Sequence, residues 1–522
     1  MTLVRPLELL NNALTVHKFG GTSMSSINLV AEIIKTICIN ERPIVVVSAI
    51  SGVTNKLYEW IEKSNLQSLH DLDEMHAFTV TKLTESGYLS KESGDALLLE
   101  IRADLNCIES GNVCRDENAQ TNAHQNTDEN MHSNANSNTH SITLSHTHSC
   151  VVGFGEIWAS KILSAVLVNF GFKSKSVDAR EFIFLANYEE VRVDWKTSRF
   201  KWKECMNVHV DVDGCNIPVI TGFVASDHCG LPTTLKRNGS DFSGAIVANL
   251  SRATCLTIWT DVDGIYSADP RIVENAVCIK EMNYKESAEL AYFGAKVIHP
   301  QTMAPCVQAD IPIVLRNTFN LQKGGTLICA TRTHERSECA VAGVDALQHG
   351  CDTRATGVLA CKRSCAPCRA VTMIPQVAIV NVEGCGLFGF SGIAAKLFGA
   401  VAAAHVNIIM ITQASSEYSI CFAVPLVDGR ACISALQSIF EPEIQNDELI
   451  ISLEEASIVA AVGDGMHQQL GLMGTLATAL GDARINIVAI AQGSSERNIT
   501  FVVGKSDGIH ALRALHQVLL HT

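Results

Sequence analysis

The chain lacks any stretch that a lipid bilayer would hold. No run of 18 apolar residues is free of polar breaks. The nearest, IAAKLFGAVAAAHVNIIMI, carries Lys396, His405 and Asn407 and reads as a buried helix followed by a strand. Positive charge falls short: 40 Lys and Arg stand against 54 Asp and Glu, a net charge of −14. That balance excludes nucleic acid and an anionic membrane as main partners, but not a small anion held by local cations. The opening residues, MTLVRPLELLNNALTVHKFGG, have no uninterrupted apolar core, because Glu8 breaks it. They also lack the arginines of a transit peptide, so the expected compartment is the cytoplasm. No G-x-x-x-x-G-K-[ST] occurs, which excludes a Walker A phosphate loop. Two clean C-x-x-C pairs are missing as well. The 19 cysteines therefore read as reduced thiols in a long chain rather than a disulfide scaffold.

What is present is a soluble, globular composition: 522 residues, 47% hydrophobic and 18% charged, enough for two or three domains. Residues 112–150 are almost pure Asn, His, Ser, Thr and Gln and read as a disordered surface insertion. Its histidines, His124, His132, His140, His146 and His148, are irregularly spaced, which favours a low-complexity loop over a metal site. Residues 330–370 show no periodicity, and Cys351, Cys361, Cys365 and Cys368 read as thiols of a linker. Beyond the linker the chain repeats itself. Residues 378–424 lie over 457–503 at an offset of 79 without a gap. Gly384 and Gly386 fall on Gly463 and Gly465, Asn407 on Asn486, Gln413 on Gln492, and Ser415-Ser416-Glu417 on Ser494-Ser495-Glu496. Each copy reads strand, Gly turn, helix, strand, polar turn, strand, helix: a small α+β unit with antiparallel strands.

Gly384, Gly386 and Gly389 in AIVNVEGCGLFG have the G-x-G-x-x-G spacing of a dinucleotide fingerprint. That motif needs an acidic residue about 20 positions on, at the end of the next strand. Here that strand ends in Gln413, and the second copy has no third glycine, so a dehydrogenase reading fails.

The N-terminal part is of another kind. PIVVVSA and IPVITGFVA are continuous apolar runs alternating with helical segments such as SGAIVANLSRA, the pattern of a mostly parallel sheet covered by helices. Polar turns follow the strand ends. KFGGTS brings Lys18, Gly20, Gly21, Thr22 and Ser23. VVVSAISGVTN brings Ser48 and Thr54. LKRNGSDFSG brings Arg237, Ser240 and Asp241. IWTDVDGIYSADPR brings Thr260, Asp261, Tyr266 and Arg271, and FGAKVIHP brings Lys296 and Val297. Adjacent glycines after a strand let backbone N–H groups approach a phosphate. In an open parallel sheet such turns face one crevice.

KFGGTS, VVVSAISGVTN, FGE, the RNGSD loop, WTDVDGIYSADPR and FGAKVIHP, in this order, resemble aspartokinase, and the C-terminal repeat resembles its paired ACT regulatory domains. ITQASSEYSI and IAQGSSERNI look most like the threonine-sensitive type, including the kinase half of the bifunctional aspartokinase–homoserine dehydrogenases. The resemblance implies a three-layer αβα amino-acid-kinase domain with a mostly parallel sheet over 1–329. A linker over 330–372 and two βαββαβ ACT domains over 373–455 and 456–522 would follow. It implies phosphoryl transfer from MgATP to the side-chain carboxylate of L-aspartate. Lys18 and Asp241 would be catalytic. Lys18, Gly20, Gly21, Thr22, Thr260, Asp261, Tyr266, Arg271, Lys296 and Val297 would serve ATP. Ser48, Thr54, Glu156, Arg237 and Ser240 would hold the substrate, Arg237 its α-carboxylate and Glu156 its α-ammonium. Mg²⁺ would bind through ATP oxygens and water rather than protein ligands. Gly384, Gly386, Asn407, Gln413, Asn486 and Gln492 would bind an amino-acid effector, threonine favoured over lysine, and the ACT pairs would join a homo-oligomer. Two features depart from the family pattern. Lys236 replaces the glycine before the loop arginine, and the 112–150 insertion precedes Glu156. A kinase of glutamate or acetylglutamate and a catalytically inactive sensor are the rival readings.

Overall fold

The computed structural model describes residues 13–112, 135–187, 190–209, 216–236, 238–294, 298–330, 368–384, 392–413 and 419–521. The chain forms two compact units: 1–264, 280–282 and 299–352 in the first, and 265–279, 283–298 and 353–522 in the second. Two stretches that the sequence reading placed in the catalytic domain, 265–279 and 283–298, therefore belong to the second unit.

The first unit is built on strands β1 (Ala13–Phe19), β2 (Glu41–Val47), β3 (Lys173–Val177), β4 (Asn216–Thr221), β5 (Val224–Ser226), β6 (Pro232–Thr234), β7 (Cys255–Thr260), β8 (Glu281–Asn283), β9 (Ile313–Asn317) and β10 (Thr326–Cys329). Eight of them form one sheet in the order β8-β10-β9-β7-β1-β2-β4-β3, with β5 and β6 as a separate hairpin. The central pairs are parallel, and β10 pairs antiparallel to β9 at one side. Helices α1 (Gly21–Met24), α2 (Ile27–Ile37), α3 (Val53–Lys63), α4 (Ala135–Asn169), α5 (Gly239–Ser251) and α6 (Pro300–Ala309) accompany the sheet.

Strand alternation sends Phe19, Val45, Val47, Ile217 and Val219 to one face, where they share a core with Ile34 of α2 and Trp158, Ile162 and Val166 of α4. Lys18 and Leu256 point to the other face, against α5. A Cβ on Gly244 would sit 3.1 Å from the Lys18 Cβ, so the helix lies directly on the strand. Helices thus cover both faces, which is why the strands read as unbroken apolar runs.

His146–Asn169 of α4 is long and apolar enough to cross a membrane by length and composition, yet 72% of that window is buried inside the protein. It is a core helix, with the Trp158 indole N–H donating to Asp104 Oδ2 at 2.9 Å. The expectation of a disordered insertion through 150 needs correction. Residues 135–150 are the first turns of α4, and His146 and Cys150 are buried. Residues 113–134 lie outside the described residues. The polar composition hid the helix; within it His146 and Cys150 are buried by tertiary contact, the His146 Nδ1–H donating to the Pro232 carbonyl at 3.0 Å.

The second unit has strands β11 (Ala370–Glu383), β12 (Met410–Gln413), β13 (Ser419–Pro425), β14 (Ile450–Val462), β15 (Ile487–Ala491) and β16 (Asn498–Gly504), and helices α7 (Ile393–Ala403), α8 (Gly429–Ile439), α9 (Leu472–Asp482) and α10 (Gly508–His521). All strands join one antiparallel sheet in the order β12-β13-β11-β14-β16-β15. The two repeats share the long central strands. β11 and β14 pair along their whole length, with an irregularity between Ile374 and Val377. Residues 377–383 of β11 serve the first copy, whose core holds Val380, Leu397, Phe422 and Leu436. Val371 instead packs into the second copy with Val459, Leu476, Phe501 and Leu512. Cys368, expected in a linker, is buried in this second core. Its thiol donates to the carbonyls of Ala370 and Val462 at 3.6 Å, and burial pushes it up to about 12. Cys351, Cys361 and Cys365 lie outside the described residues.

The stretches 265–279 and 283–298 complete this unit. Ala268 and Val273 enter the second core. Ser267 accepts the Val371 N–H at its carbonyl, 2.8 Å away, and its hydroxyl meets His516 Nε2 at 2.8 Å. In the helix Tyr284–Tyr292, Asn283 and Glu286 form a capping box. The fully buried Glu286 carboxylate also accepts the Asp464 N–H of the second copy's first turn, at 2.8 Å. Replacing Glu286 by Ala leaves two buried N–H groups without an acceptor, which costs about 2–3 kcal/mol in denaturant unfolding. Amide exchange at Asp464 rises most; unchanged protection there would show that the carboxylate does not hold the turn.

Candidate active site

The KFGG turn at the end of β1 packs against the next strand-end turn. The Gly20 N–H donates to the Trp259 carbonyl at 3.1 Å, and the Ser51 N–H to the Gly21 carbonyl at 3.2 Å. A Cβ on Gly21 would stand 3.1 Å from the Ala49 carbonyl oxygen, so glycine permits this approach. Lys18, almost fully buried, points its ammonium at Asp241 in the first turn of α5, Nζ to Oδ1 2.5 Å. A carboxylate there is favoured by the helix N-terminus.

These groups line a cavity of about 570 Å³. Of the residues read from sequence, Lys18, Gly21, Ser48, Thr54, Glu156, Ser240 and Asp241 line it. The Ser48 hydroxyl donates to Ser240 Oγ at 2.8 Å, tying the β2 turn to α5. Gly20 and Thr22 sit in the same turn without lining the cavity, and Thr260 and Asp261 close on each other at the end of β7, Oγ1 to Oδ1 3.2 Å. Tyr266 and Arg271 are in the second unit, where Arg271 is forked onto Asp269 at 3.0 and 2.7 Å. Arg237, Lys296 and Val297 lie outside the described residues. Tyr58, which no motif marked, also lines the cavity; so do Asn55 of VVVSAISGVTN and Lys236 and Asn238 of LKRNGSDFSG, none of them assigned a site role from sequence. Helical spacing was the available signal for Tyr58, one turn beyond Thr54 on α3.

Glu156 is the most perturbed group of the site. It sits on α4, 3% exposed, and its Oε1 accepts the Ala49 N–H at 3.2 Å. Its Oε2 is buried with no hydrogen-bond partner among the described residues. Burial pushes the carboxyl up to about 8, against the opposing pull of the Ala49 N–H and the Lys18 charge. Burial therefore favours the protonated form of Glu156 at neutral pH, and a cation beside it would reverse that.

Lys236 answers the question its sequence raised: it is left-handed, φ +56°, as is Asn238 at +58°. The position does require positive φ, and this chain places a lysine where glycine would be unstrained.

In the second unit, Gly384 has φ +147°, and a Cβ there would lie 2.1 Å from the Glu448 carbonyl oxygen. Strand packing alone thus demands that glycine. Its counterpart Gly463 is extended, φ 175°. Asn407, Gln413, Asn486 and Gln492 are all exposed. The sheet curls so that its edge strands β12 and β15, which lead to the two glutamines, approach within 8 Å, Cα to Cα. Gly386 lies outside the described residues.

Fold and pocket together define an α/β domain with a polar cavity at its strand ends, joined to a tandem α+β repeat. The chain belongs to the amino acid kinase family: residues 13–317 match the "Amino acid kinase family", and 380–440 and 459–519 each match the "ACT domain". It is 37% identical to bifunctional aspartokinase/homoserine dehydrogenase 1, chloroplastic, of Arabidopsis thaliana, over 96% of this chain and 50% of that protein. It is 30% identical to the bifunctional aspartokinase/homoserine dehydrogenase of Haemophilus influenzae, over 97% of this chain and 56% of that one. The chain thus spans about half the length of the curated relatives it matches. Its fold is also that of the crystal structure of E. coli aspartokinase III in complex with aspartate and ADP: TM-score 0.69, 23% identity, 97% of this chain and 100% of that one.

Two stability measurements test this geometry. For the substrate-free protein, the native state keeps a proton on Glu156 that the unfolded chain releases above the ordinary value of 4.5. Stability therefore falls as pH rises from about 4.5 to about 8 and then levels. Glu156→Gln lacks this loss and gains on wild type by about 3 kcal/mol between pH 5 and pH 9; parallel pH profiles would contradict the burial of an unpaired carboxylate. Lys236→Gly relieves a left-handed side chain and raises the unfolding free energy by roughly 0.5 kcal/mol, net of glycine's greater unfolded-state entropy. A loss of stability would mean that Lys236 interactions outweigh the strain.

Proposed function

We propose that this chain is an aspartate kinase that transfers the γ-phosphoryl group of MgATP to the side-chain carboxylate of L-aspartate, giving 4-phospho-L-aspartate. The observation that carries the reading is the buried Glu156 carboxylate with no hydrogen bond on Oε2. Such a group calls for a cationic ligand. The α-ammonium of a free amino acid meets that need, whereas the amide of an acetylated amino acid does not, which disfavours an acetylglutamate kinase.

The nucleophile is a carboxylate already ionised at neutral pH, so no general base is required. The difficulty is to bring one anion to another, and catalysis consists of positioning and charge stabilisation. Lys18 neutralises charge that develops on the transferred phosphoryl group, and Asp241 holds the lysine in place. Glu156 gives up its proton as the substrate ammonium arrives. Ser48, Thr54 and Ser240 supply hydroxyls, and Arg237 clamps the α-carboxylate. Gly20, Gly21 and Thr22 present backbone and hydroxyl groups to phosphate, and Thr260 and Asp261 serve the nucleotide. The same role for Tyr266, Arg271, Lys296 and Val297 rests on motif resemblance. The pocket offers Asp241 as a carboxylate near the phosphate turn, already paired with Lys18, which suits a Mg²⁺ carried in by ATP rather than one caged by protein. Bound there, the ion neutralises phosphate charge.

The ACT pair is read as a regulatory site for threonine, supported by the two Gln/Ser-Ser-Glu segments and the approach of the strands that lead to Gln413 and Gln492. It would act by preferring an inactive arrangement. The solved structure of E. coli aspartokinase III in complex with lysine and aspartate keeps lysine as the competing effector. A homo-oligomer through ACT edges and a cytoplasmic location complete the reading; plant relatives are named chloroplastic.

ADP release should depend on L-aspartate and fail with L-glutamate; the reverse preference sinks the proposal. Lys18→Ala lowers kcat by about 10²–10³-fold. The KM for aspartate falls as pH rises toward about 8, because Glu156 must ionise to hold the ammonium, and Glu156→Gln abolishes that slope. Saturating threonine inhibits; unchanged rates would refute the effector assignment.

A further inference from the structure

The histidine-rich end of the insertion does not take part in the proposed chemistry, yet it is ordered against the β5–β6 hairpin. We propose that Asp227, His228 and Cys229 of that hairpin, with His146 of α4 beside them, form a binding site for a zinc-class divalent metal ion.

The ligand atoms of Asp227, His228 and Cys229 all lie within 4.8 Å of one another. The turn is preset. Asp227 Oδ1 accepts the N–H groups of Cys229 and Leu231, each at 2.8 Å, which directs its other oxygen toward His146. Gly230, at φ +84°, closes the turn. His146 is 92% buried by its 8% exposure, and its Nδ1–H donates to the Pro232 carbonyl at 3.0 Å. Its other ring nitrogen, Nε2, lies 3.6 Å from Asp227 Oδ2. A ring oriented by Nδ1–H to a backbone carbonyl, with Nε2 toward neighbouring donors, is the arrangement by which metal-binding histidines are held. His228 and Cys229 are exposed, so an ion reaches them from solvent.

The donor set decides the metal class. The hairpin offers one thiolate, one imidazole and one carboxylate, with the His146 imidazole beside the carboxylate; such a nitrogen, sulfur and oxygen set suits Zn²⁺, while Mg²⁺ and Ca²⁺ prefer oxygen alone. Binding replaces the Cys229 thiol proton, which leaves to solvent. The site is thus chemically separate from the Mg²⁺ of the nucleotide. Its position gives it a consequence: β6 ends at Thr234, and Thr234 and Lys236 line the catalytic cavity. An ion that ties α4 to the hairpin braces the entry to the substrate loop.

The test uses the full chain, dialysed against zinc and then metal-free buffer, with zinc counted by elemental analysis. Wild type retains one more zinc per chain than the His228→Ala/Cys229→Ser variant, and His146→Gln binds zinc about 10- to 100-fold more weakly. The replaced hairpin residues are exposed, so that variant folds, which circular dichroism verifies. Co²⁺ in place of zinc gives wild type a thiolate charge-transfer band that Cys229→Ser removes, which separates this site from the other thiols. Excess Mg²⁺ leaves the zinc in place. Equal zinc content in wild type and the double variant, or a cobalt band that survives Cys229→Ser, overturns the proposal.

Discussion

A buried ion pair at the end of β1 is the constraint around which the first unit is arranged. Lys18 cannot leave the sheet face that α5 covers, because Gly244 brings the helix backbone onto its Cβ. Its ammonium is stable there only with a carboxylate at hydrogen-bond distance, and Asp241 supplies one from the first turn of the same helix. The pair therefore fixes the helix start, the loop before it and the cavity beside it. Glu156 adds a second demand. It lies on α4, in the layer opposite α5, and its buried carboxyl is held neutral by desolvation. Two helices from opposite faces of one sheet thus bring carboxyl groups to a shared crevice, one paired with Lys18 and the other held neutral by desolvation.

The second unit rests on a different economy. Two copies of one small motif do not stand side by side as closed domains; they share the strands β11 and β14. The two long strands pair with each other throughout, and each takes a strand of its own copy on its other edge along only one half, 377–383 of β11 with β13 and 456–462 of β14 with β16. This explains why 370–374 belong with the second copy although they precede the first in sequence. It also explains the docking of 265–279 and the helix Tyr284–Tyr292. Ala268 and Val273 fill the second core, and Glu286 satisfies the turn at Asp464.

Much of this was legible in the sequence. Unbroken apolar runs announced buried parallel strands, the 79-residue offset announced the repeat, and the glycine, hydroxyl and charged residues after each strand marked the pocket. Lys18, Ser48, Thr54, Ser240 and Asp241 could be named because strand ends converge in such sheets whatever the long-range details, whereas Glu156 was named only from the family resemblance of its FGE segment. Tyr58 was signalled only by its helical spacing from Thr54 on α3, and the orientation of that face toward the pocket is set by packing. The order of 135–150 was hidden as well: His146 and Cys150 are buried there by contact with residues far along the chain.

The sequence by itself determined local conformation, the alternation of buried and exposed positions and the chemical kinds of side chain at each turn, because these depend on neighbours in the chain. Tertiary structure alone decided which groups lose their water. It raised the Glu156 carboxyl, placed a lysine in left-handed conformation at 236, moved Cys368 from an expected linker into a core, and assigned Gly384 to strand packing. The physical reason is common to all four. Desolvation and steric contact arise from atoms distant in sequence, and no periodicity or spacing along the chain encodes them.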